Sequence, residues 1–286
     1  MHLRISIVNK FKKLMSIKKK LKGPIFCIIT PFKKNEEIDY EKLSKYIDYL
    51  YLRGARIFYV MVYNSRLGLL NYSEIINLNI FCIKKVKKID KNNIIICAEP
   101  YHCSTQQSIE LANLFKKKGA DIISLIFGEK YYSDKQIYSH FKKIHDSTNV
   151  NLLLHQQQME PGLANKMYKN TYPLSLLNKI FSLKKFIAMK EDAKEDDYTK
   201  KICQILKNKA VIITSGRGKK QWLKASTQGC QSWLSGVSTL DPKIAVSFYH
   251  WVKTNQKNKI NFYFKYIEDP FLKISDNYGW HLTIKA

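Results

Sequence analysis

Arginine is scarce in this 286-residue chain, although its formal net charge is +26. Only five of the 49 basic residues are arginines, and the lysines are scattered over almost every amphipathic segment. Arginine is the side chain that proteins favour for phosphate and base recognition, and nucleic-acid sites concentrate their charge on one face. The composition therefore does not predict nucleic-acid binding, but it does predict a surface that attracts acidic small molecules.

Long apolar runs and paired cysteine motifs are also absent. No run approaches the roughly 18 residues that cross a bilayer, and the basic first 22 residues lack the continuous apolar stretch of a signal peptide. No two of the six cysteines form a C-x-x-C pair, and most lie in apolar segments. We expect no membrane span, no metal site and buried free thiols, which is typical of a cytoplasmic protein. The cysteines are Cys27, Cys82, Cys97, Cys103, Cys203 and Cys230.

From residue 23 onward, short apolar runs alternate with amphipathic segments. Near-continuous apolar strands indicate burial on both faces and hence a parallel sheet. Eight such β/α units predict closure into a (β/α)8 TIM barrel. A doubly wound open sheet is the main alternative, but its glycine-rich phosphate turn is replaced here by Thr30-Pro31-Phe32. The predicted strands are 23–29, 56–62, 94–98, 122–126, 150–154, 186–189, 211–214 and 232–235.

The chain divides by pattern into three parts. Residues 1–22 form a basic N-terminal extension, 23–240 the barrel, and 241–286 a C-terminal helical segment that opens with the Asp241-Pro242 cap. Apolar residues at helical spacing in the extension suggest a membrane-surface or partner-binding helix, although a frayed extension or a misassigned start is favoured. Those residues are Leu3, Ile7, Phe11, Leu14 and Ile17.

Lys190 is the leading candidate for a catalytic residue. Catalytic groups of such barrels lie at the carboxyl ends of the strands, and Lys190 closes the apolar strand FIAM. Desolvation there would lower the pKa of the amine and make it a nucleophile. The alternative is a structural lysine paired with Glu191 or another acid. His155, at the end of the neighbouring strand, has the chemistry for proton transfer, or is simply a hydrogen-bonded rim residue.

Further polar residues fall at the same end of the predicted barrel. Asn64 and Ser65, with their backbone amides, could hold a substrate carboxylate through neutral donors. Arg66 and Arg217 are candidate anion contacts, and Glu99 is a candidate acid/base group or rim ion pair. The complete set of predicted substrate-binding residues is Tyr63, Asn64, Ser65, Glu129 and Gly236.

Several motifs, in order and spacing, resemble one known family. Ile28-Ile29-Thr30-Pro31-Phe32, the stretch 54–74 ending Leu-Asn-Tyr-Ser-Glu, Tyr138-Ser139-His140-Phe141 and Ile187-Ala188-Met189-Lys190-Glu191 are similar to landmarks of the dihydrodipicolinate synthase and N-acetylneuraminate lyase family. The resemblance covers about 23–286. It implies a class I aldolase fold, Lys190 as the Schiff-base lysine, a pyruvate-like oxo acid as substrate, no metal or organic cofactor, and a homotetramer or homodimer.

The sequence departs from the family at several functional positions. The family's glycine–threonine–threonine–glycine–glutamate turn is here 62–66, Val-Tyr-Asn-Ser-Arg. The catalytic tyrosine falls on His155, the downstream arginine on Glu160, and the neighbouring subunit's tyrosine on Glu129. Dihydrodipicolinate synthesis itself is therefore not expected. The family usually continues its C-terminal helices past the position of Ala286, so a shortened segment or an incomplete sequence is expected.

Three functions follow from these observations. The first is a lyase or aldolase that makes or breaks a carbon–carbon bond of a pyruvate-like 2-oxo acid or sugar acid through a Lys190 imine. The second keeps the imine but uses it for dehydration or decarboxylation of a sugar acid. The third is a degenerate, non-catalytic barrel retained for ligand binding or assembly.

Overall fold

The computed structural model of this chain describes residues 17–60, 69–101, 103–127, 133–157, 171–193, 195–216 and 218–285. Eight parallel strands pair in chain order, and the eighth pairs with the first, so the sheet closes into a barrel. This confirms the predicted TIM barrel and excludes the open sheet. The strands are β1 (Gly23–Cys27), β2 (Ile57–Val60), β3 (Ile94–Ala98), β4 (Ile122–Ile126), β5 (Asn151–Gln157), β6 (Phe186–Asp192), β7 (Val211–Ser215) and β8 (Ser232–Leu234).

Helices alternate with the strands and pack around the barrel, and more helices follow the eighth strand. They are α1 (Tyr40–Leu52), α2 (Tyr72–Ile89), α3 (Thr105–Lys118), α4 (Asp134–Ser147), α5 (Leu174–Ile180), α6 (Asp196–Leu206), α7 (Gly218–Ser226), α8 (Val237–Leu240), α9 (Pro242–Lys253), α10 (Lys257–Tyr263), the π-helix Phe264–Glu268, α11 (Asp269–Tyr278) and α12 (Trp280–Lys285). None of these helices is long and apolar enough to cross a membrane.

Side-chain caps determine where several helices begin. The Asn71 side chain accepts the backbone N–H of Glu74 at 2.9 Å, and the Glu74 carboxylate accepts the backbone N–H of Asn71 at 2.8 Å. Reciprocal bonds of the same kind begin α3 at Ser104 and α4 at Ser133. Each box satisfies two backbone donors that the first turn leaves without a helical partner.

The barrel core is buried on both sides of the sheet. Every residue of β2, β3 and β7 is buried, because side chains that point inward fill the barrel and those that point outward pack under helices. A polar side chain in such a strand must therefore find a partner inside the protein. This requirement makes the few charged residues of the strands informative.

Three strands extend past their predicted ends, and β7 gains only Ser215. Strand β5 continues through Gln157 and β6 through Asp192, each three residues past the predicted end. The apolar run stops at Leu154 and at Met189, but the two strands go on pairing with each other, His155 with Lys190 and then onward. Backbone pairing therefore outlasts the hydrophobic pattern at the carboxyl end of the barrel.

The segment after the barrel is helical, as predicted from the Asp241 cap. It contacts the barrel through a fully buried cluster in which Lys219 Nζ donates to Tyr263 Oη at 2.6 Å and lies 3.3 Å from Glu268 Oε2. The π-helix turns Glu268 toward the start of α7, where its Oε1 also accepts the backbone N–H of Lys219 at 2.6 Å.

Most of the predicted N-terminal extension, residues 1–16, lies outside the described residues. Residues 17–20 are helical, and both Ile17 and Leu21 belong to the hydrophobic core. The Leu21 carbonyl accepts a hydrogen bond from the Ser232 hydroxyl at 2.9 Å. The last residues before β1 are thus packed against the barrel.

Candidate active site

The extended ends of β5 and β6 place Lys190 and His155 beside each other. Their Cα atoms are register partners, at the carboxyl end of the barrel where the sequence predicted the site. Only 3% of Lys190 and 8% of His155 are exposed. Lys190 Nζ lies 2.6 Å from His155 Nε2, which is hydrogen-bonding distance. An ammonium on Lys190 can donate only if this ring nitrogen carries a lone pair, so the imidazole is placed to accept a proton.

Asp192 completes a three-residue cluster around the amine. Its Oδ2 lies 2.9 Å from Lys190 Nζ and 3.9 Å from His155 Nε2. Burial raises the pKa of this carboxyl, but the positive charge of Lys190 and the interaction with His155 outweigh burial and hold the pKa well below its usual value. The carboxyl is therefore ionised over the physiological range.

Asp192 is not among the site residues predicted from the sequence. Side chains alternate along a strand, so residues two apart share a face and Lys190 and Asp192 point to the same side of β6. The acidic run Glu191-Asp192 lies beyond Met189, the predicted end of this strand, so the predicted alternation does not include it. Extending the period by three residues would have paired the lysine with this acid.

Glu191, the alternative partner suggested for Lys190 by the sequence, points the other way. Its carboxylate accepts the Ala193 N–H and the Thr199 hydroxyl, both at 2.7 Å, on the side of α6. Burial raises its pKa despite these bonds. The acid paired with Lys190 is Asp192.

A second polar pair, also missed from sequence, lies inside the barrel. The Tyr59 hydroxyl of β2 donates to Ser124 Oγ of β4 at 2.5 Å, and both residues are buried. Burial raises the pKa of Tyr59, and the negative charge of Asp192 raises it further. The phenol thus lies within electrostatic reach of the Lys190 cluster.

Most of the predicted substrate-binding residues lie outside the described residues. These are Tyr63, Asn64, Ser65 and Glu129, together with the other singled-out positions Arg66, Glu160 and Arg217. Gly236 is described. It follows β8 and precedes α8, where its carbonyl accepts both the backbone N–H and the hydroxyl of Thr239. Its predicted role toward substrate stays a prediction.

Glu99 directly follows β3 at the same end of the barrel. Burial raises its pKa to about 7, although its Oε1 accepts the Ile126 N–H at 2.9 Å. Across the described ranges, no three His, Cys, Asp or Glu side chains are grouped as metal ligands. Five of the six cysteines are buried free thiols, as predicted, and Cys103 is partly exposed.

Comparison with known proteins places the chain in a family. A model described as the dihydrodipicolinate synthetase family matches residues 20–278. The chain belongs to this family. Curated members similar to it include the 4-hydroxy-tetrahydrodipicolinate synthase of Anaplasma marginale strain Florida, 25% identical over 236 residues that make up 80% of this chain and 72% of the relative. The synthase of Oceanobacillus iheyensis is 30% identical over 161 residues, 55% of this chain and 52% of the relative.

Solved structures agree on the fold. CdNal from Clostridium difficile, solved in complex with mannosamine, matches with a TM-score of 0.78 at 17% identity over 93% of this chain and 87% of that one. N-acetylneuraminate lyase from Fusobacterium nucleatum gives 0.78 at 16% identity over the same shares. At such identity the likeness speaks for the barrel alone. Family membership makes this chain a lyase-type enzyme of the class I aldolase kind.

Proposed function

We propose that this enzyme makes or breaks a carbon–carbon bond of a pyruvate-like 2-oxo acid or sugar acid through an imine on Lys190. The observation that carries the proposal is the buried Lys190 amine held 2.6 Å from His155 Nε2 at the carboxyl end of the barrel. A lysine nucleophile needs a neighbouring base to take its proton, and the imidazole is within reach.

The chemistry uses the protonated imine as an electron sink. Once Lys190 has condensed with the ketone, the cationic nitrogen withdraws electrons, so the adjacent carbon can be deprotonated or released. His155 moves protons during formation and breakdown of the carbinolamine. The predicted turn of Asn64 and Ser65 would orient the substrate carboxylate. This scheme needs no metal or organic cofactor.

The substrate differs from that of the synthases named among the relatives. By the sequence resemblance, His155 falls at the position of the family's relay tyrosine, and Glu160 at that of its anion-binding arginine. Loss of the tyrosine removes a phenol from the proton route. Loss of the arginine removes a positive charge that would bind a second carboxylate of the substrates. We therefore infer that the chain is not a true dihydrodipicolinate synthase. Family membership also supports a cytoplasmic homotetramer or homodimer as its working form.

Reductive trapping tests the imine. The protein is incubated with pyruvate, 2-oxobutyrate and N-acetylneuraminate in turn, reduced with borohydride and analysed by intact mass and peptide mapping. We expect one covalent adduct, on Lys190, that disappears in Lys190→Ala. His155→Gln should keep the adduct but form it about 100-fold more slowly, as is usual for loss of a general acid–base group.

Lys142→Ala is the matched control, because this lysine is 52% exposed on α4. It should form the adduct like the wild type. Wild-type protein without an adduct across the panel would contradict the proposal. If such protein still bound an oxo acid, with equal affinity in Lys190→Ala, the non-catalytic barrel would be the better description. Product analysis separates aldol cleavage from dehydration or decarboxylation.

A further inference from the structure

A carboxylate next to the Lys190 amine places a negative charge beside the nitrogen that would be positively charged in the proposed imine. Asp192 Oδ2 lies 2.9 Å from Lys190 Nζ, and only 17% of the Asp192 side chain is exposed. Resting on the proposed function, we propose that Asp192 is the counter-ion of the protonated Lys190 imine and keeps that imine protonated through the reaction.

The charge balance of imine formation supports this role. The Lys190 ammonium gives one proton to His155, the free amine adds to the ketone, and the carbinolamine hydroxyl takes the proton back from His155 and leaves as water. One C–N double bond replaces one C–O double bond, and an ammonium plus a ketone becomes an iminium plus water. The nitrogen carries one positive charge before and after. Asp192 can therefore stabilise both states without moving.

The position of Asp192 follows from strand geometry. Residues 190 and 192 share a face of β6, and β6 is held from both sides, by β5 through the His155–Lys190 register and by β7 through Lys190–Ile213. Asp192 itself pairs with Gln157 of β5, so the sheet holds the backbone of both charged residues and pre-organises their ion pair. Such fixed charges cost no reorganisation during reaction.

Other titratable groups near the amine are suited to different roles. His155 on β5 is the proton acceptor, 3.9 Å from Asp192 Oδ2. Tyr59 on β2 is buried with its hydroxyl on Ser124, and its pKa is raised, so it stays neutral. Glu191 faces α6 on the opposite side of the sheet. The β7 residues around the pairing point, Ile213 and Thr214, carry no titratable group.

Cyanoborohydride gives a direct readout because it reduces protonated imines and spares neutral ones. The rate of trapping pyruvate on Lys190 is measured by intact mass from about pH 5.5 to pH 10. At high pH the rate falls as the imine loses its proton. This fall is the upper limb of the pH profile. A single adjacent charge moves the midpoint of the upper limb by about one to three pH units. We expect Asp192→Asn to shift this upper limb down by at least about one unit.

Three further variants make the result specific. Asp192→Glu keeps the charge and should leave the upper limb near that of the wild type. Asp196→Asn removes a surface carboxylate paired with Lys224, and should change nothing. Asp192→Ser serves as the neutral variant if Asp192→Asn does not fold, and thermal unfolding identifies the folded proteins.

The outcomes separate this inference from the proposed function. A downward shift of the upper limb in Asp192→Asn or Asp192→Ser, but not in Asp192→Glu or Asp196→Asn, supports the counter-ion. A folded neutral variant with a wild-type upper limb overturns it and leaves the Lys190 imine standing. Wild-type protein that forms no adduct at any pH overturns the proposed function, and the counter-ion with it.

Discussion

Charged side chains at the carboxyl end of the barrel differ in whether an opposite charge lies beside them. Lys190 and Asp192 neutralise each other in an ion pair, whereas Glu99 is buried with one backbone N–H on its Oε1. A buried charge without a counter-charge is costly, and the group responds by staying protonated. This is the physical reason that the pKa of Glu99 rises to about 7 while that of Asp192 falls.

Glu99 should make stability depend on pH. Below about pH 4.5 the carboxyl is protonated in both the folded and the unfolded chain. Between about 4.5 and 7 the unfolded chain releases a proton that the folded chain keeps, so the free energy of unfolding falls as pH rises. We expect Glu99→Gln to remove this loss, and to gain up to about 3 kcal/mol over the wild type between pH 4.5 and 7.

Urea unfolding at several pH values measures the difference. Burial also lowers the pKa of His140, to about 4, which acts with the opposite sign, but His140 is present in both proteins and cancels. Glu110→Gln, on the exposed face of α3, is the control and should show no such trend. A constant difference between Glu99→Gln and wild type across this pH range would show that the carboxyl is not held protonated.

Lys190 and His155 could be predicted as site residues from the sequence, because each is a polar residue that directly follows an apolar strand. Asp192 shares a strand face with Lys190 by alternation, but the hydrophobic pattern that locates a strand ends before the strand itself does, so that pattern alone leaves Asp192 outside β6. Tyr59 was hidden for another reason. A tyrosine in a buried strand looks like core, and only the barrel's curvature brings its hydroxyl to Ser124 on a strand two places away.

At the scale of elements, one of the buried contacts between the C-terminal helices and the barrel forms around the start of α7. Gly218, the first residue of α7, has a φ of +69°, and a Cβ added there would lie 2.1 Å from Glu268 Oε1. That carboxylate is itself held by Tyr263 and by the Lys219 backbone. It therefore has little freedom to move away.

Gly218→Ala should destabilise the protein strongly. The side chain faces both an unfavourable backbone conformation and a blocked position, so we expect a loss of about 3 kcal/mol or more in the free energy of unfolding. Gly279→Ala is the matched control, since Gly279 has a φ of +82° but no atom within 4 Å of an added Cβ. It should cost less, about 1 to 3 kcal/mol, because only the backbone conformation opposes the new side chain.

Equal losses in the two variants, measured by urea unfolding, would show that Glu268 can move aside.

The helix starts could be predicted from sequence because capping is local, as the Asn71–Glu74 box illustrates. The attachment through Lys219 and Glu268 could not, because its partners are 49 residues apart and depend on the π-helix register.

The whole molecule carries a large positive charge, +26. Such a field concentrates anions near the surface and weakens as salt screens it. We expect adduct formation with pyruvate to slow several-fold when ionic strength rises from about 20 to about 200 mM. Trapping rates measure this. Methyl pyruvate, which is neutral, is the control and should change little. Equal salt dependence for both compounds would contradict electrostatic attraction of the substrate.

The amino-acid sequence by itself determined the closed barrel, its eight-fold repeat and the two residues that face each other across β5 and β6. These features are local or periodic, and hydrophobic patterning and capping record them directly. Only the tertiary structure decided that Asp192 neutralises Lys190, that Glu191 faces the helices instead, and that Glu268 holds Lys219. Each of these depends on distances between side chains, and those distances are set only when strand pairing and helix packing fix the position of each backbone segment.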